Sequence, residues 1–380
     1  MKPRILLLTD PFSAPGYQPR VRYLCEYLKR EGYSITLITE KSIALNFEHS
    51  YPIIEIPIYN GKRLDWIVKT AWTILTNWHN RAFAKRVLHI LSQTNYKNHP
   101  FDLVLCSTFS DFPLSAALDI SRSLHVPLLC DIRDLDEQVE NSTYQYQHKE
   151  WWAKLFRPLY RTMRIRRRNK VLSAANAITT ISPWHLDFLR RFNNNVHIVY
   201  NGFDEKQFFP GAVSSKIFKI SYIGTLYEWQ KAALQQVQIA CNALPFHPII
   251  SIHTPFSNPI RHDQLGEAIR ESGIMLVLTS TSTHGMLTTK FYEALGCATP
   301  ILCVPSDEGA LSELIAYTNA GVATNNMDRI KRFIIEKYSE WEKNGYTQQD
   351  TMHREEFSRG RQCEKMEEVI NNTLSMHVSQ

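Results

Sequence analysis

Apolar residues in this chain fall into short unbroken runs separated by longer stretches with helical spacing. In the first half the runs are "RILLLTD" (4–10), "SITLITE" (34–40), "DLVLCST" (102–108), "PLLCDIRD" (127–134), "AITTIS" (177–182) and "VHIVYNG" (196–202). They are β-rich and continuous rather than alternating, as strands covered on both faces are, so they predict a parallel sheet. Between the first two, "PRVRYLCEYLKREGY" sets Val21, Leu24 and Leu28 on one helical face and ends on Gly32, which predicts a crossover helix. The pattern resets after "NGFDEKQFFPGAVSSK" (201–216), whose Gly, Pro and Ser suit a linker. A second series follows: "KISYIG", "IISIHTP", "GIMLVLT", "TPILCVP" and "AGVAT". Two doubly wound parallel sheets in tandem are therefore expected, an α/β architecture of two Rossmann-like domains. Their strands' carboxyl ends face each other across a cleft, where such folds bind ligands.

Composition supports two cores: 380 residues, 44% hydrophobic and 21% charged, is ordinary globular material for two domains. Seven cysteines lie far apart or inside apolar runs, with no C-x-x-C pair, which reads as a reduced cytoplasmic protein without a structural metal. The N-terminus enters a strand at once, and no run of 18 apolar residues occurs. The expected protein is neither secreted by a cleaved signal nor membrane-spanning.

The most informative stretch for chemistry is "TTKFYEALGCATPIL" (288–302), where Lys290 and Glu293 stand three apart at the head of an apolar helix. Side chains so spaced point the same way, and a helix's first turn offers free N–H groups to an anion. Thr288 or Thr289 can cap that turn. With Lys290 the turn suits a diphosphate, and Glu293, one turn deeper, suits the vicinal hydroxyls of a ribose. Other strand ends carry compatible residues: Gly16 after the first strand, and Gly224, Thr225 and Lys231 after the first strand of the second series. The ligand these parts describe is a nucleotide diphosphate. The plainer alternatives are an i, i+3 surface ion pair for Lys290 and Glu293, a strand-end ion network for Asp131, Arg133 and Asp134, a turn for Asn201, Gly202 and Asp204, and a solvated loop residue for His284.

The stretches "TTISPWHLDFLRRFNNNVHIVYNGFDEKQFFP" (179–210), "ISYIGTLY" (220–227) and "GMLTTKFYEALGCATPILCVPSDEGALSELI" (285–315) together resemble glycosyltransferase family 4, of the GT-B fold and the bacterial surface-polysaccharide type. The resemblance implies transfer of a sugar from a nucleotide-diphosphate sugar to an acceptor hydroxyl, with retention and without a required metal or other cofactor. It implies a donor site lined by Gly285, Met286, Leu287, Thr288, Thr289, Lys290 and Glu293. Family members commonly carry two glutamates eight positions apart here; the second corresponds to Glu293, and Gly285 stands at the first. "CDIRDLDEQ" resembles an "RDLW" loop of bacterial members, which assigns catalysis to Arg133 and Asp134. The expected domains are 1–205, on the acceptor side and including a returning C-terminal helix at about 350–380, and 206–349, which binds the nucleotide-sugar.

Basic residues concentrate in "WWAKLFRPLYRTMRIRRRNK" (151–170), with eight Lys or Arg and no acid. Lys154, Arg157, Arg161, Arg164 and Arg168 recur at helical steps beside Trp152, Phe156, Leu159 and Met163, and Pro158 is expected to break or restart the helix. With Trp66, Trp72 and Trp78 of the 63–91 segment, this predicts contact with an anionic membrane surface through 151–170 and secondarily 63–91. The alternative is a helix whose apolar face is core and whose cations are merely solvated. No nucleic-acid reading motif is present, and no nucleic-acid partner is expected. The leading expectation is an enzyme peripheral on the cytoplasmic membrane face that acts on a glycan, lipid-linked or polysaccharide acceptor. Its competitors are a nucleotide-sugar epimerase of the same fold and a non-catalytic basic membrane- or nucleic-acid-binding protein.

Overall fold

The computed structural model of the chain describes residues 2–12, 18–41, 47–58, 72–93, 100–138, 151–211, 213–280 and 284–378, with the side chains of 151–157 and 378 excepted. Its first sheet contains seven strands: β1 (Arg4–Thr9), β2 (Ser34–Glu40), β3 (Ile53–Ile56), β4 (Leu103–Thr108), β5 (Leu128–Ile132), β6 (Ala177–Thr180) and β7 (Val196–Ile198). They lie parallel in the order β3-β2-β1-β4-β5-β6-β7. The second sheet contains β8 (Lys219–Ile223), β9 (Ile249–His253), β10 (Ile274–Leu278), β11 (Ile301–Val304) and β12 (Gly321–Ala323), parallel in the order β12-β11-β10-β8-β9. Each continuous apolar run noted above contains a strand, and in the central strands of both sheets helices bury both faces. β4 and β5 are buried at every position. The edge strand β3 escapes the same reasoning because it is four residues long, interrupted by Glu55 and flanked by Pro52 and Pro57.

Strand order reverses between β1 and β4 in the first sheet and between β8 and β10 in the second, and ligands of doubly wound folds bind outside such switch points. The loops after these strands carry the residues of interest. Helices Pro19–Arg30 and Arg359–Val378 cover one face of the first sheet. Cys363, Met366, Val369 and Ile370 of the last helix belong to the same core as Ile5, Leu7, Val21 and Leu28. The chain therefore crosses between the lobes twice. The two crossings are bonded to each other: Phe203 N–H donates to the Phe357 carbonyl at 3.0 Å, and Arg359 N–H to the Phe203 carbonyl at 2.8 Å.

The helix Trp151–Ala174 runs through Pro158 without a break, contrary to expectation. Its later turns are clamped. Arg164 Nε donates to Asp111 at 2.7 Å, Arg168 grips Glu137 with two bonds of 2.8 and 2.7 Å, and Arg161 donates to the Asp136 carbonyl at 2.7 Å. These contacts offset the single backbone bond that a proline removes. They also correct the reading of a membrane-facing cationic stripe for Arg161, Arg164 and Arg168, while the side chains of Trp152, Lys154, Phe156 and Arg157 lie outside the described residues. Arg164 and Arg168 are 5% and 4% exposed and are paired with acids of other loops. Their i, i+4 step marks the inward face. Trp78 likewise packs against the core of the first lobe, whereas Trp72 is exposed and Trp66 lies outside the described residues. Among the described residues no helix is long and apolar enough to cross a membrane.

Candidate active site between the lobes

On the second lobe, the loop after β10 feeds the helix Thr289–Cys297, whose N-cap is Thr288: its hydroxyl accepts from the Lys290 N–H at 3.3 Å. Phe291, Tyr292, Ala294 and Leu295 are buried, which fixes the helix and turns Lys290 and Glu293 to its partly open side. The Lys290 ammonium stands 5.2 Å from the centre of the Tyr222 ring. A side chain at Gly224 would put its Cβ 2.7 Å from Lys290 Cε, so a glycine with φ +126° is what lets the lysine lie against the end of β8. Lys290 and Glu293 form no ion pair, and among the described residues neither has a hydrogen-bond partner for its charged group. Burial pushes the Lys290 amine below and the Glu293 carboxyl above their ordinary values, each partly offset by the other's charge, and for Glu293 also by Arg359. Two unpaired, desolvated, opposite charges at a capped helix N-terminus are costly unless a ligand satisfies them.

On the first lobe the strand ends form two networks. Asp131, within β5, is held by Arg20 through bonds of 2.9 and 2.7 Å and by the hydroxyls of Ser107 and Thr179. Burial opposes its ionisation, yet Arg20 and these bonds hold its carboxyl below the ordinary value. Arg20 also donates to the Tyr200 carbonyl, so this unit is structural. Arg133 donates to Asp10 at 2.8 Å, and Asp10 also takes bonds from the Thr108 and Ser110 hydroxyls and the Phe109 N–H. The Arg133 Nε is buried without a partner. Among the described residues Asp134 makes no ion pair. Its surface is open, but protein surrounds it closely enough that burial, with repulsion from Asp10 and Asp136, pushes its carboxyl up to about 6 against the pull of Arg133.

The two halves also meet at the loop that follows β10. His284 N–H donates to the Gln138 carbonyl at 2.8 Å, and the His284 ring stacks on Trp184 at 5.9 Å. His284 is thus half-buried between lobes rather than a solvated loop residue. Gly285, with φ +61°, lies against the helix Pro183–Leu189: a Cβ there would stand 2.6 Å from Trp184 Cβ and 3.0 Å from Ser182 Oγ.

A cleft with a phosphate-ready helix on one wall and an arginine–aspartate loop on the other invites comparison with known proteins. Residues 16–207, just over half of the chain, match the family model described as Glycosyltransferase Family 4. The chain belongs to glycosyltransferase family 4. No curated protein sequence matches it. Among solved structures it is similar to HepE of Anabaena in complex with UDP and glucose, at 12% identity and TM-score 0.62 over 97% of this chain and 100% of that one. It is also similar to a glycosyltransferase from Rickettsia africae, at 13% identity and TM-score 0.61 over 98% and 99%. At such identities these likenesses establish the GT-B fold.

In this glycosyltransferase the structure gathers Gly224, Thr225, Met286, Leu287, Thr288, Thr289, Lys290 and Glu293 around the ends of β8 and β10, with Arg133 and Asp134 in the loop that leads to Gln138. Lys231 stands apart: it is exposed and forms a 2.6 Å pair with Glu228. Gly16 lies outside the described residues. Two residues that contact or influence these groups escaped the sequence reading. Asp10 was detectable as an acid closing an otherwise apolar strand; Arg359 had no local signal, because the returning helix brings its charge to Glu293.

Proposed function

We propose that the chain transfers a sugar, with retention, from a nucleoside-diphosphate sugar to a hydroxyl of a glycan acceptor, lipid-linked or polysaccharide, at the cytoplasmic face of a membrane. The observation that carries the reading is the unpaired Lys290 and Glu293 at the Thr288-capped helix. In this proposal Lys290 and the helix N–H groups bind the diphosphate and stabilise the charge that grows on the departing nucleotide. Glu293 accepts hydrogen bonds from ribose hydroxyls. The 285–289 loop approaches the donor sugar by its backbone, and Arg133 and Asp134 orient the sugar and the incoming hydroxyl. Because Lys290 and a helix dipole supply the positive charge, the reading assigns no metal. UDP in the HepE structures makes UDP-sugars the first donors to test.

The test is a thermal-shift screen of nucleoside-diphosphate sugars followed by turnover with glycan acceptors. A ligand at a hundred times its Kd stabilises by about 2.7 kcal/mol. Stabilisation by one donor, lost in Glu293→Ala, is expected. A native protein that no nucleotide-sugar stabilises would refute the proposal.

A further inference from the structure

A second charged site lies on the outer face of the first lobe. The helices Trp78–Gln93, Leu114–Leu124 and Trp151–Ala174 lie side by side there and enclose an open cavity of about 380 Å³. Four cations line it, Arg81, Arg122, Arg167 and Lys170, against one acid, Asp119. Arg167 is engaged with the carbonyls of Thr73 and Ile74, at 2.9 and 2.6 Å, and so fixes the segment that forms one wall. Arg81, Arg122 and Lys170 are exposed and, among the described residues, form no ion pair or side-chain hydrogen bond. Elsewhere on the same helix Arg164 and Arg168 are compensated by Asp111, Asp136 and Glu137. In the groove positive charge is left unbalanced. Its rim is apolar: Leu75 is 67% exposed, and Trp72, three residues earlier, is 54% exposed.

We infer that this groove seats the phosphate of an anionic phospholipid and holds the first lobe on a bilayer. Arg81, Arg122 and Lys170 meet the headgroup while Trp72 and Leu75 enter the interfacial layer. Clustered cations with neighbouring aromatic and aliphatic side chains have the chemistry of a charged membrane interface. The inference rests on the membrane-face reading proposed above and moves its contact away from the buried Arg164 and Arg168.

The test is co-sedimentation of the full chain with phosphatidylcholine vesicles of increasing phosphatidylglycerol content. It compares the native protein with a triple variant, Arg81→Gln, Arg122→Gln, Lys170→Gln, and with a charge-matched control on the other lobe, Arg329→Gln, Arg332→Gln, Lys343→Gln. Each cation near an anionic surface is worth roughly a factor of five in partitioning, so the groove variant should lose on the order of a hundredfold while the control keeps most binding. Equal loss in both variants would mean diffuse charge and overturn the site. Equal partitioning of native and groove variant would also overturn it. Stabilisation by inorganic phosphate without vesicle binding would identify a free anion, and so refute the lipid. Sugar transfer to a water-soluble acceptor should be equal in native protein and groove variant; selective loss in the variant would show that the groove is no separate site. Failure of transfer in the native protein, with groove-dependent vesicle binding intact, would count against the enzymatic reading alone.

Discussion

Gly285 stands where the family resemblance leads one to expect a glutamate, and its surroundings in the structure can be tested by measurement. Gly285→Ala adds one methyl group at φ +61°, where a side chain costs about 1–2 kcal/mol. The methyl would also sit 2.6 Å from Trp184 Cβ. That atom is next to the backbone and cannot swing away, so the loop must retreat from the other lobe. Retreat forfeits the His284–Gln138 hydrogen bond, worth about 0.5–1.5 kcal/mol, and the His284–Trp184 stack, worth a similar amount. The total is about 2–5 kcal/mol, which at 2–4 °C per kcal/mol lowers Tm by at least about 4 °C. The assay is thermal unfolding followed by circular dichroism, alongside the donor KM. Because alanine keeps the offending Cβ, Trp184→Ala should not rescue Gly285→Ala, whereas Trp184→Gly should restore the steric part. A Gly285→Ala protein that melts with the native one, or is rescued by Trp184→Ala, refutes the contact.

Glu293→Gln should cut kcat/KM for the donor by one to two orders of magnitude, since charge-assisted bonds are worth roughly 1.5–3 kcal/mol. The same change should raise Tm: a carboxyl whose folded value is raised destabilises the fold once ionised, so the gain grows as pH rises through that value and is absent in acid. Asp134, pushed up to about 6, should give kcat/KM a rising limb near that pH, and Asp134→Asn should remove the limb from the profile. Arg164→Gln strands Asp111 in a buried pair and should cost about 3 kcal/mol in denaturant unfolding, whereas exposed Arg166→Gln should cost under about 0.5.

What could be read from the sequence was what the chain encodes locally. The central strands declared themselves because burial on both faces leaves unbroken apolar runs, and β3 did not because an edge of four residues need not follow that rule. Lys290, Glu293 and the Thr288 cap belong to one helix, so their mutual geometry follows from spacing alone. The helix at 151–174 shows the limit. Periodicity placed Arg161, Arg164 and Arg168 on one face but could not say which way that face turns, because Asp111, Asp136 and Glu137 come from other loops. Gly285 itself was visible, while the side chain it packs against, Trp184, lies about a hundred residues away in the chain.

The helix that returns to the first lobe also dictates an order of events during synthesis. Cys363, Met366, Val369 and Ile370 complete a core begun by Ile5 and Leu7, so the ribosome delivers one side of that core last. The second lobe's strands and helices, by contrast, are contained between residues 219 and 344, and the residue its core takes from beyond them, Phe357, precedes the final helix. The lobe that emerges second can therefore finish first, as a domain inserted into an unfinished one. Until the final helix docks, Leu24 and Leu28 keep an uncovered apolar flank, a surface at risk of aggregation. Closing a contact across nearly the whole chain makes that docking a late step, and a chain stopped before residue 359 would carry the exposed flank permanently.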